Sequence, residues 1–155
     1  MKKMSFLLAV VMVLILTAGC QGSRTPVDAV QFNAKAEEAG YLVQDASDQF
    51  DDGDVNDYLI AIKGTESIDY QIEFAVVPTE AQAISAYQEN KGEFEANKGS
   101  SSSCSSVSTG NYSYYYLTTN GRYYVISRIE NTFIYVDASA EYKAEISSFL
   151  KSIGY

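Results

Sequence analysis

No histidine occurs in the 155 residues, so the side chain that most often serves as general base and as zinc ligand is missing. The residues that remain for chemistry are two cysteines, Cys20 and Cys104, an acidic run between Asp45 and Asp57, a Ser148-Phe-Leu-Lys151 spacing and thirteen tyrosines. Ser148 and Lys151 stand as a serine nucleophile and its lysine base would. The companion Ser-Asp-Asn and Lys-Thr-Gly motifs are absent, and the pair reads as solvated positions late on a helix. Asp52, Asp54 and Asn56 have the alternate spacing of a calcium loop. Asp57 and Lys63, however, stand where an EF-hand needs glycine and glutamate. The choice there is between an irregular calcium site and a solvated turn bent at Asp52-Gly53. No catalytic residue, metal or cofactor is assigned, and the expectation is a protein that is not an enzyme.

The elements that must position these residues read as helix, strands, helix, strands, helix. Thr25-Pro26 suits a helix start, with Val30, Ala34 and the Phe32, Ala36 and Ala39 set as its buried stripe and Gly40 as its stop. Strands follow at Tyr41–Val43, Tyr58–Lys63 and Ile68–Val77. In the last of these Ile68, Tyr70, Ile72, Phe74 and Val76 alternate with more polar residues, as in an antiparallel sheet with one buried face. Thr79-Glu-Ala-Gln82 fits a capping box and opens a second helix, in which Ile84, Tyr87 and Phe94 share a face. The serine-rich stretch around Cys104 reads as a loop. A final helix over about Ser139–Ile153 carries Tyr142, Ile146, Phe149, Leu150 and Ile153 on one stripe.

Asn120-Gly121 is a strong hairpin signal, because a type I′ turn needs positive φ at both central residues. If Thr119 faces Arg122, one face carries Tyr112, Tyr114, Tyr116, Val125 and Ile129. The other carries Tyr115, Leu117, Arg122, Tyr124, Ile126 and Arg128. A second hairpin near Asn131-Thr132 adds Ile134 and Val136 to the first face and Phe133 and Tyr135 to the second. The first face is the expected core. The second, aromatic and bordered by arginines, is the expected binding surface, built from Tyr115, Arg122, Tyr124, Arg128, Phe133 and Tyr135. Tyrosine and arginine are enriched at interfaces. The expected fold class is α+β, an antiparallel sheet with helices packed on one face.

The chain opens with Lys2 and Lys3, an apolar run from Phe6 to Leu16, and small residues before Cys20. That is the layout of a secretory signal, and the run is shorter than the roughly 20 residues a bilayer span needs. Leu16-Thr17-Ala18-Gly19-Cys20 resembles the lipobox of bacterial lipoproteins, with Thr17 in place of the more usual aliphatic residue. The resemblance implies a diacylglyceryl group on the Cys20 thiol, cleavage before Cys20 and acylation of the new amine. The organisation expected is a signal at 1–19, a lipidated cysteine and short tether at 20–25, and one domain at 26–155. Loss of Lys2 and Lys3 leaves nine Lys+Arg against 20 Asp+Glu, a net charge of −11, which argues against a nucleic-acid partner. With Cys20 acylated, Cys104 has no disulfide partner. The expected function is a binding or accessory module anchored in the cell membrane through acylated Cys20, on its extracytoplasmic face, with an envelope protein or polysaccharide as partner. The alternative is a lipoprotein that binds a solute or calcium.

Overall fold

A computed structural model describes residues 23–155; the signal segment and Cys20 lie outside the described residues. The chain forms α1 (Ala29–Glu38), β1 (Leu42–Asp45), β2 (Asp57–Lys63), β3 (Tyr70–Val76), α2 (Glu80–Ala96), β4 (Ser102–Thr109), β5 (Tyr112–Thr119), β6 (Arg122–Ile129), β7 (Thr132–Ser139) and α3 (Lys143–Ser152). The seven strands make one antiparallel sheet in the order β1-β2-β3-β7-β6-β5-β4. The fold is α+β, with the order of helices and strands expected from the sequence.

Local chemistry sets the element ends. Asp28, not Thr25, caps α1: its carboxylate accepts from the Gln31 amide while the Gln31 side chain accepts from the Asp28 amide. Gly40 leaves α1 at φ +80°. Thr79 caps α2 by accepting from the Gln82 amide at 3.2 Å. Asn120 and Gly121 both have positive φ, at 50° and 75°, and Thr119 pairs with Arg122, so the hairpin register is the one read from the sequence. The next turn is Glu130-Asn131, closing at Ile129 and Thr132, one residue earlier than expected.

The first face of the sheet carries the main core. Leu59, Ile72, Phe74, Val125, Ile134 and Val136 point to α1 and α3. Phe32 of α1 stacks on Phe74 at 4.5 Å between ring centres, and Phe149 of α3 meets Phe32 edge-on at 6.0 Å.

The expectation that all helices lie on one face is corrected by α2, which covers the second face. Topology explains this. The chain leaving β3 must pass β7, β6 and β5 to reach β4 at the far edge, a span of about 19 Å at 4.8 Å per strand. A 17-residue helix is about 25 Å long and bridges that distance. With the first face occupied by α1 and α3, α2 lies across the other one. Tyr87 and Phe94 then pack on Tyr115, Leu117 and Ile126.

The serine-rich stretch expected as a loop is the edge strand β4, paired along its length with β5. Residues 102–108 are exposed on both faces, so small polar residues are enough there. Cys104 is an exposed free thiol. At the turn between β4 and β5 the entering chain is clasped. The Arg24 amide donates to Asn111 Oδ1 at 3.0 Å, and Asn111 Nδ2 donates to the Arg24 carbonyl at 2.7 Å. The Arg24 guanidinium donates to the Gly154 carbonyl at 2.8 Å.

Candidate functional site

The second face divides at the edge of α2. Beneath the helix, Tyr115 is 1 % exposed and its hydroxyl has no hydrogen-bond partner among the described residues. Arg128 is also buried, where its guanidinium donates to Glu80 Oε1 at 3.1 Å and to the Asn111 carbonyl at 3.3 Å. Both were expected on an open surface, and α2 removes them from it. Tyr124 is half-buried with its ring 4.9 Å from that of Phe94. Arg122 is exposed and paired through Nε with Asp137 at 2.9 Å. A Tyr124→Ser change should therefore cost about 1–2 kcal/mol, between a surface substitution and an emptied core site. Urea unfolding measures it, and a loss below 0.5 kcal/mol would mean that Phe94 does not rest on this ring.

At the edge of α2 the face is only partly covered: Phe133 and Tyr135 pack against the α2 cluster, with the Tyr135 ring 5.4 Å from that of Phe94, and stay partly exposed. β3 pairs with β7 so that Glu73 faces Tyr135 and Ala75 faces Phe133. Two adjoining recesses share Glu73 and Tyr135. One, of about 410 Å³, is lined by Phe50, Tyr58, Asn90 and Phe133. The other, of about 440 Å³, is lined by Gln71, Arg122 and Asp137. Together they form a groove in which Phe133 and Tyr135 present partly exposed rings, with Arg122 at the far end.

The groove's polar groups are fixed. The Tyr58 hydroxyl donates to Glu73 Oε2, and Gln71 Nε2 donates to Glu73 Oε1 at 3.0 Å. Burial, with Asp137 and Glu73 nearby, pushes the Tyr135 hydroxyl up to about 12, so it stays a donor at neutral pH. Tyr58 is raised for the same first reason, reinforced by its bond to Glu73. Glu73 and Asp137 are each held by donors. The arrangement offers ring faces, hydroxyls and anchored acceptors, which suits recognition of an uncharged, hydrogen-bonding ligand.

Of the expected residues, the structure buries Tyr115 and Arg128 under α2, packs Tyr124, Phe133 and Tyr135 partly exposed along its edge, and leaves Arg122 exposed beside Tyr135. Tyr58 and Glu73 were not singled out in the sequence. Glu73 shares its strand face with Asp69 and Gln71, and only the pairing of β3 with the distant β7 brings it to Tyr135.

The acidic loop does not converge on a point. Asp45 accepts from the Ser47 amide at 2.9 Å, and no group of three or more Cys, Asp or Glu side chains among the described residues is placed to hold a metal ion. Comparison of the chain with family models, with curated proteins and with solved structures gives no match.

Proposed function

We propose that this protein is a lipid-anchored, extracytoplasmic, non-enzymatic binding module. Acylated Cys20 holds it at the cell membrane, and the groove around Glu73 and Tyr135 takes its partner, an envelope polysaccharide or a segment of an envelope protein. The observation that carries the groove assignment is the incomplete cover of the aromatic face. Phe133 and Tyr135, though in contact with α2, remain partly exposed around polar groups that are already oriented. Pre-oriented donors and acceptors spare a ligand the cost of ordering them. The carboxylates Glu73, Asp69 and Asp137 outnumber the single, paired Arg122, so the groove favours hydroxyl-rich partners over anions.

Two measurements test this. Membrane fractionation of full-length protein should move from the pellet to the soluble fraction on Cys20→Ser, because two acyl chains hold stably where none remain in the variant. A variant that pellets as fully as wild type would refute the anchor. Co-sedimentation with purified envelope polysaccharide should weaken at least tenfold on Tyr135→Ser, a loss typical of an aromatic anchor at an interface. Equal sedimentation of variant and wild type would remove the groove from the binding surface.

A further inference from the structure

A second recess lies on the first face, between α3 and the outer strands. Its floor is a row of tyrosines. Tyr112, Tyr114 and Tyr116 alternate along β5 with ring centres 6.5 and 6.3 Å apart, and Tyr123 of β6 lies 6.0 Å from Tyr116. The wall is α3, with Lys143, Ser147 and Lys151, and the volume is about 350 Å³, within the range of small-ligand sites.

Its charge is opposite to that of the chain. Asp and Glu outnumber Lys and Arg by 20 to 11 overall, yet Arg24, Lys143 and Lys151 line this trough and no Asp or Glu side chain does. Among the described residues Lys63, Lys91, Arg122 and Arg128 make ion pairs, and these three cations do not. Arg24 and Lys143 rest on rings instead. The Arg24 guanidinium sits 3.6 Å over Tyr112, and Lys143 Nζ lies 4.6 Å from the centre of Tyr116 and 5.4 Å from that of Tyr123. Such contacts hold a cation without neutralising it.

The trough is also rich in donors. Burial raises the Tyr112 and Tyr114 hydroxyls above the ordinary tyrosine value, so both keep their protons at neutral pH. The Tyr123 hydroxyl lies 3.0 Å from Ser147 Oγ and 3.4 Å from the Tyr114 hydroxyl. Lys143 and Lys151 stand eight residues apart, about 12 Å along a helix.

We propose that this trough binds a phosphate ester of a small polyol. Lys143, at the Tyr116 end, takes the phosphate oxygens, while the tyrosine rings and hydroxyls between it and Arg24 take the polyol. Arg24 follows Cys20 by four residues, at most about 14 Å of chain. The ester can therefore be a phospholipid headgroup of the anchoring membrane or a free molecule. The lipid source rests on the anchor proposed above. The trough itself does not depend on it, nor on the groove of the second face.

Full-length protein in neutral detergent, titrated calorimetrically with glycerol 1-phosphate, tests the free ester. Thermal unfolding in phosphatidylglycerol against phosphatidylcholine vesicles tests the headgroup. Saturable binding, or a higher melting temperature in phosphatidylglycerol, is expected in at least one arm. The Lys143→Gln/Lys151→Gln variant should weaken it at least tenfold or abolish the shift, since charge-assisted contacts are the strong ones. Lys143→Arg should retain it, and Lys91→Gln, on α2, should leave it unchanged. A response in the vesicles alone assigns the headgroup, and one to glycerol 1-phosphate assigns the free ester. No response in either arm, or an equal response from the double variant, overturns the proposal.

Discussion

Phe149→Ala is expected to destabilise the domain by about 3–4 kcal/mol, the range for truncating a buried phenylalanine. Phe149 is 5 % exposed and is the ring through which α3 reaches both α1 and the chain leaving it. Its centre lies 6.0 Å from Phe32, edge-on, and 4.8 Å from Tyr41. Removing it empties the junction where the two helices meet above Phe74. That junction cannot close easily, because both helices are also pinned to separate strands. Urea unfolding of wild type and variant measures the loss through the midpoint shift at constant slope. A loss under 1 kcal/mol would mean that α3 does not pack on the sheet as described.

Alkaline conditions should produce the second large effect. Tyr70 and Tyr155 are 3 % and 5 % exposed. Burial raises both hydroxyls well above the ordinary value, and the bond to Tyr41 at 2.8 Å adds to the shift of Tyr70. In the unfolded chain a tyrosine ionises near pH 10, so above that pH the unfolded state sheds protons that the folded state retains. Stability is then fully present below pH 10 and falls as pH rises, by about 1.4 kcal/mol per unit for each tyrosine that stays protonated. Tyr70 and Tyr155 alone contribute a loss of roughly 2–3 kcal/mol at pH 11. The fall should continue through the region about pH 12 where Tyr135 titrates in the folded protein. Urea midpoints at several pH values, with the ultraviolet absorbance of tyrosinate as a second probe, measure it. Equal stability at pH 9 and pH 11 would contradict the burial of these hydroxyls.

How far the sequence was legible depends on whether the deciding contact is local. The Asn120-Gly121 turn fixes its own geometry through two positive φ values. From it follow the register of β5 on β6 and the face of every side chain between Tyr112 and Ile129. The stripe of Ile146, Phe149 and Leu150 is likewise a local pattern, and all three are buried. The position of α2 is not local. Only Ala83, Tyr87 and Phe94 of its 17 residues are buried, so its pattern does not say which face it covers. That depends on β3 and β4 lying on either side of three intervening strands.

The same cause hid the groove. Its walls come from β2, β3 and β7 with Phe50, Asn90 of α2 and Arg122 of β6, and the pairing of Glu73 with Tyr135 joins residues that no turn connects. Serine-rich β4 was missed for a different reason. As an exposed edge strand it has no buried face, so it shows no alternation to read, and its strand character comes from pairing with β5.

The clasp at Arg24 has a mechanical consequence. Tension drawn along the chain from its first twenty-two residues meets the Asn111 side chain and the Gly154 carbonyl before it reaches α1. Asn111 lies in the turn between β4 and β5, and Gly154 follows α3, so the load is shared by segments distant in sequence. The body is gripped at one corner instead of swinging from a single swivel. A pull from that end therefore sets which way the sheet faces as well as where it sits.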